Sequence, residues 1–202
     1  MRRRAANSLG MSLVELMIVV VIIGILAAIS VVGYRKYIAR ARLSEATAML
    51  AEFAAKEQLF FLDSGQYMEA HYNAANFPST NENAGEFWPQ NPNNYWDSAR
   101  TPISVYDSSG NLPTSWKKLG IRPRWRQLFC TYMANAGSPN TAPPASSVGS
   151  TLWTATPAVP WFYVLGVCNL VGQAGWPNSS GNVTVLSLTH DSPAIRTTEE
   201  TQ

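Results

Sequence analysis

The chain has little with which to do chemistry. Its 202 residues include two histidines, His71 and His190, and two cysteines, Cys130 and Cys168. These four side chains lack the close spacing of a metal site, which excludes a zinc-type cluster read from sequence. Neither a Gly-x-Ser-x-Gly elbow nor a glycine-rich phosphate loop occurs, so the signatures of a serine hydrolase and of a nucleotide-binding loop are absent. No internal repeat is visible. Proline is missing before Pro78, and glycine is also missing from Tyr34 to Leu62. A stretch that long without helix breakers is free to form one helix. All 13 prolines and all seven tryptophans, at positions 88, 96, 116, 125, 153, 161 and 176, fall after Gly65.

What is there begins at the N-terminus. Arg2, Arg3 and Arg4 open a short basic leader that ends at Leu9-Gly10. After Met11-Ser12-Leu13-Val14-Glu15, the stretch from Leu16 to Val32 runs for 17 residues without a charge. That is close to the roughly 20 residues needed to cross a bilayer. The leader arginines favour a cytoplasmic N-terminus with the bulk of the chain outside, although Arg35, Lys36, Arg40 and Arg42 flank the far end. A secretory signal places its cleavage site after the apolar run. Here the processing-like junction, Gly10–Met11, precedes it. Glu15 is the one carboxylate inside the apolar run, where an ionised group costs a few kcal/mol or more. A stray glutamate in a single-pass anchor is the plain alternative, and it accounts for neither Gly10 nor Glu15.

The run Leu9-Gly10-Met11-Ser12-Leu13-Val14-Glu15-Leu16-Met17-Ile18-Val19-Val20 resembles the class III signal of type IV pilins and pseudopilins. The resemblance covers about the first 55 residues. It implies cleavage by a prepilin peptidase between Gly10 and Met11, N-methylation of Met11, and a role for Glu15 in assembly as the fifth mature residue. Met11 stands where the family more often has Phe. Val32 stands where many major pilins have a proline that loosens the helix, and Gly33 is the nearest substitute weak point. The physics of Glu15 fits. Cleavage creates a positive α-amino group, and that amine of one chain can face Glu15 of a neighbour. Such a pair in an apolar core disfavours wrong registers, which would strand an unpaired charge.

Beyond the anchor, Ala39, Leu43, Ala46, Leu50, Phe53 and Phe60 recur at alternating spacings of four and three, the mark of an amphipathic helix. Glu57 interrupts that stripe. Asp63-Ser64-Gly65 supplies a stop, with Gly65 suited to a left-handed cap. A single helix from Ser12 to Leu62 would be about 75 Å long. In the remainder, short strands are expected at Ile103–Tyr106, Leu128–Met133, Trp161–Val167 and Val183–Leu188, separated by turn-rich loops at Asn73–Asn94 and Ala134–Ser150. The expected fold is α+β: a long N-terminal helix, transmembrane in its first half and amphipathic in its second, packed on a small antiparallel sheet. The expected divisions are a leader at 1–10, a polymerisation helix at 11–33, a stem at 34–64 and one head at 65–202.

Several features of the head admit two readings. Cys130 and Cys168 lie in strand-like stretches of a head that would face an oxidising space, so a disulfide is expected, with two buried thiols as the alternative. The pilin habit of one disulfide near the C-terminus points the same way. Arg122, Arg124 and Arg126 alternate with Pro123 and Trp125, and in a strand they would share one face. They could form a patch for DNA or an acidic polysaccharide, or a charged strand edge that blocks unwanted pairing. Without the leader the chain carries 12 basic against 13 acidic side chains, a net charge of −1, which is no global field for nucleic acid. Asp107-Ser108-Ser109-Gly110-Asn111 suits a turn better than a calcium loop. No calcium is expected at Cys168–Gly175, where acids are missing. The tryptophans suit a core or an interface more readily than a sugar-binding surface. Asn178-Ser179-Ser180 and Asn182-Val183-Thr184 match the N-glycan pattern by chance.

The expectation is a structural subunit of a type IV pilus, a pilin or minor pilin, and not an enzyme, with no cofactor. Its expected partners are other pilin subunits, the prepilin peptidase and an inner-membrane assembly platform; nucleic acid is not among them. It would sit in the inner membrane before assembly and in an extracellular fibre afterwards. A type II secretion pseudopilin, and a pilin whose head binds DNA or surface glycans, are the alternatives.

Overall fold

The structure, a computed structural model, describes residues 12–70, 87–89, 103–143, 152–168 and 184–199. Its first element is α1 (Leu13–Ser64), a 52-residue helix. Ser12 and Glu15 stand in the Ser-x-x-Glu spacing that favours a helix start, and the Leu16 N–H donates to the Ser12 carbonyl at 3.1 Å. The helix runs unbroken through Val32 and Gly33. It ends as expected: Gly65 takes φ 72°, and its N–H donates to the Phe61 carbonyl at 2.8 Å.

Contacts divide the chain into two units, Met1–Ile38 and Ala39–Gln202. In the first, the 19 residues Leu13–Val31 are long and apolar enough to cross a membrane, and none is buried within the chain.

The second unit is built on the later part of α1. Ala46, Met49, Leu50, Phe53 and Glu57 are buried, and Leu43, Ala54 and Phe60 pack partly against the core. These positions follow the three-and-four spacing that puts them on one helix face. Glu57 therefore lies on the apolar stripe and not beside it. Burying each large apolar side chain contributes roughly 1.5–3 kcal/mol.

That face meets a four-stranded antiparallel sheet in the order β3-β4-β5-β6: β3 (Cys130–Gly137), β4 (Trp161–Cys168), β5 (Thr184–Thr189) and β6 (Ser192–Glu199). β4 is buried at all eight positions. Its even-numbered residues Phe162, Val164 and Cys168 join the helix-side core, while Trp161, Tyr163, Leu165 and Val167 form a second cluster on the opposite face with Phe87, Met133 and Val185. The alternation of a strand, combined with cover on both faces, explains the continuous apolar run. Gly166 marks the closest approach of helix and sheet. A Cβ there would come within 2.7 Å of Leu50 Cδ1 and 3.3 Å of the Tyr132 ring.

The expected strand at Leu128–Met133 is split. β2 (Gln127–Leu128) pairs with β1 (Ile103–Ser104) in a separate small sheet, and after Phe129 the chain enters β3. Two elements escaped the sequence reading. β6 contains Pro193 and few apolar residues, and it is tolerated because it pairs with β5 alone at the sheet's end. α2 (Thr114–Leu119) is too short for periodicity. It is closed by Gly120 at φ 78°, with its Trp116 set edge-on to Phe53 at 5.2 Å.

Candidate functional site

Glu15 lies in the first turn of α1, where unpaired backbone N–H groups favour a carboxylate. It is exposed, as are the apolar residues from Leu13 to Ile29 that surround it in sequence. Among the described residues nothing covers it or the apolar surface around it. Gly10 and Met11, the expected processing positions, lie outside the described residues.

In the second unit, three more glutamates of α1 reach backbone N–H groups of the head. Glu45 Oε1 accepts from Phe129 N at 2.8 Å, Glu52 Oε1 from Arg122 N at 2.8 Å, and Glu57 Oε2 from Met68 N at 3.0 Å. Irregular segments have backbone donors with no ladder partner, and the helix carboxylates supply the acceptors. The groups differ in burial. Desolvation raises the Glu45 carboxyl, while the N–H groups of Phe129 and Cys130, the Tyr132 hydroxyl and the Arg42 charge pull it back. Glu57 is fully buried with one such bond, and desolvation pushes it up to about 8, so it is mostly protonated at neutral pH.

Cys130 and Cys168 face each other in the β3–β4 register and form a disulfide, with Cα atoms 4.5 Å apart. That separation is the one found at a non-hydrogen-bonded antiparallel pair. The bridge pins the register of β3 on β4 beside the Glu45 contact.

Arg122, Arg124 and Arg126 do not form a strand face. They lie in the irregular segment between α2 and β2, so the shared face that a strand would give them does not arise. Pro123 denies that segment a backbone donor, and the Arg122 N–H is turned to Glu52. Arg124 lies over the Trp125 ring at 5.8 Å and Arg126 over the Tyr106 ring at 5.6 Å. Arg42, from α1, lies over Phe129 at 4.6 Å. Tyr106, Trp125, Arg126 and Phe129, with Ser104 and Gln127, line an open cleft of about 780 Å³. Trp125 is 43% exposed, whereas Trp116 and Trp161 are core residues. Trp96, Trp176 and His71 lie outside the described residues. So do 169–175, where no calcium loop is expected, and 178–183 of the glycan-pattern matches.

The remaining candidates are structural. Asp107 Oδ1 accepts from Ser109 N at 2.9 Å and Asn111 N at 2.8 Å, which makes that segment a turn. His190 packs among Tyr67, Trp153 and Phe162. Burial lowers its pKa, against the opposing charge of Asp191.

The chain combines an apolar N-terminal helix bearing a first-turn glutamate, long enough to cross a membrane, with a disulfide-bearing α+β unit. Residues 6–31 match the family model described as the prokaryotic N-terminal methylation motif. The chain is 37% identical over 76 residues to a fimbrial protein of Neisseria meningitidis serogroup A / serotype 4A, covering 38% of this chain and 39% of that protein. It is 43% identical over 60 residues to the type IV major pilin protein PilA of Myxococcus xanthus, covering 30% and 27%. It is 65% identical over 37 residues to a fimbrial protein of Moraxella nonliquefaciens, covering 18% and 24%. The chain thus spans about two fifths or less of the length of these curated relatives. No solved structure matches it. Motif and relatives thus make the N-terminal part of the chain similar to type IV pilins and fimbrial proteins.

Proposed function

We propose that this chain is a structural subunit of a type IV pilus, a pilin or minor pilin, that polymerises through Leu13–Val31 and Glu15. The observation that carries the reading is the contrast between an apolar helix surface left uncovered and a single carboxylate set in it. An uncovered surface of that length suits a bilayer before assembly and neighbouring helices after it. In this scheme the leader is removed between Gly10 and Met11 by a prepilin peptidase, and Met11 is N-methylated. The new amine then pairs with Glu15 of an adjacent subunit at an inner-membrane assembly platform, and the product is an extracellular fibre for adhesion or motility. The chain performs no catalysis and needs no cofactor. The relatives described above are fimbrial proteins and a major pilin, which favours a pilus over a secretion pseudopilin.

Fibres sheared from cells carrying wild type or Glu15→Ala test this reading, with membrane fractions measured alongside. Wild-type fibres are expected to yield an N-methylated peptide beginning at Met11. Glu15→Ala is expected to reach the membrane in normal amount and to be lost from fibres. Normal incorporation of the variant, or fibres in which Arg2–Gly10 is retained, would overturn it.

A further inference from the structure

The cleft at Tyr106, Trp125 and Phe129 has no part in polymerisation as derived above. Its chemistry is distinctive. Five cations, Lys117, Lys118, Arg122, Arg124 and Arg126, fall between residues 103 and 129, with Asp107 the sole acid. That acid is occupied by two backbone N–H groups of its own turn. A chain of net charge −1 without its leader therefore concentrates positive charge on one segment. The cleft adds aromatic surface to that charge. Trp125 is exposed, while Tyr106 and Phe129 are half-buried in the wall.

Arg124 and Arg126 each lie over a ring of the cleft. A guanidinium stacked on a ring keeps its N–H donors in its own plane, where they remain able to meet a carboxylate or sulfate. Gln127 on the rim offers an amide donor and an acceptor suited to hydroxyl groups.

We propose that this cleft binds an acidic saccharide, a uronate- or sulfate-bearing sugar, with Trp125 as the stacking platform and Arg126 as the principal partner of the anion. The pyranose C–H face packs on the exposed indole, its hydroxyls meet Gln127, and its acid group meets the Arg126 and Arg124 guanidiniums. The ring count favours a sugar over single-stranded nucleic acid. A strand gains by stacking successive bases on successive exposed rings. Here one ring is exposed and the other two are sunk in the wall. Arg126 lines the cleft, whereas Arg122 and Arg124 lie outside its lining; Arg124 reaches it through the Trp125 ring, and Arg122 does not. The proposal stands apart from the fibre reading, because Glu15 and the apolar helix play no part in it.

The test is isothermal titration of the full chain in a neutral detergent with an oligogalacturonate of about six sugars. Cello-oligosaccharide of equal length and oligo-dT of equal charge serve as comparisons. Saturable binding of the oligogalacturonate is expected, weakened by raised salt because the pairing is partly exposed. Trp125→Ala is expected to weaken it about tenfold or more, as loss of one stacking ring does elsewhere. Arg126→Ala should weaken it similarly and abolish the preference over the neutral oligosaccharide, and Arg122→Ala should change it by less than about twofold. All three sites are exposed, so each variant should keep the wild-type melting temperature. No saturable binding at low salt, an unchanged Trp125→Ala, or tighter binding of oligo-dT would each overturn the proposal.

Discussion

α1 carries two glutamates in apolar surroundings, and the structure treats them oppositely. Glu57 is sealed among side chains of its own unit, with one backbone N–H as partner. Glu15 is exposed within a surface that none of the described residues covers. The first is a closed problem: the chain supplies the partner and holds the acid protonated, with its pKa raised to about 8. The second is open among the described residues, and the proposed fibre would supply its partner. One helix thus has a stretch that its own unit covers and another that the described residues leave uncovered.

That contrast can be broken by making the same kind of change at both ends. Phe53 is fully buried, stacked on Tyr132 at 6.3 Å and edge-on to Trp116. Phe53→Ala should cost about 3–5 kcal/mol in denaturant unfolding of the full chain in detergent. Ile22→Ala, equally apolar but uncovered, should change the same transition by less than about 0.5 kcal/mol. Equal losses at the two positions would erase the distinction. The next largest effect concerns the disulfide. Replacing Cys130 and Cys168 together by Ser opens a bridge between residues 38 apart and should cost about 2–4 kcal/mol. Reductant should reproduce the loss in the wild type and leave the variant unchanged. In the proposed fibre, incorporation through Glu15 would draw on none of these contacts, so any defect there should scale with the fraction unfolded.

Much of this was legible in the sequence where one physical signal dominated. The helix was written in seventeen uncharged residues and a proline-free continuation, and its stop in Gly65. β4 was visible because its apolar run leaves few other uses. The misses share a cause. β6 and α2 owe their form to neighbours: β6 to β5, and α2 to Phe53 beneath Trp116. Arg122, Arg124 and Arg126 alternate as a strand does, yet Pro123 and the pull of Glu52 on the Arg122 N–H prevent one. The pairing of Arg124 with Trp125 and of Arg126 with Tyr106 is tertiary, and the cleft could be anticipated only as the mixture of aromatic and basic residues. Glu57 looked like a break in the stripe because a charge at that position is costly. It is tolerated because the acid is mostly protonated there.

That last point gives the smallest change at acid pH and the clearest sign. A carboxyl raised to about 8 keeps in the folded state a proton that the unfolded chain releases near its ordinary value of 4.5. Folding therefore becomes less favourable as pH rises through the window between those two values, and the loss levels off above it. The groups that face Glu57 are the Met68 N–H, which opposes the shift, and Tyr67, whose own pKa is raised by burial and by the Glu57 charge. Glu57→Gln replaces the protonated acid with a neutral amide of nearly the same shape. At pH 5 the variant should lie within about 1 kcal/mol of wild type. At pH 9 it should be the more stable of the two, because the wild type must then hold a buried charge. Glu45 is also raised by burial, so both proteins slope with pH, and the difference between them isolates Glu57. Parallel unfolding curves from pH 5 to 9 would mean that Glu57 is ionised throughout. The closed end of the helix would then carry the same unmet need for a partner as Glu15.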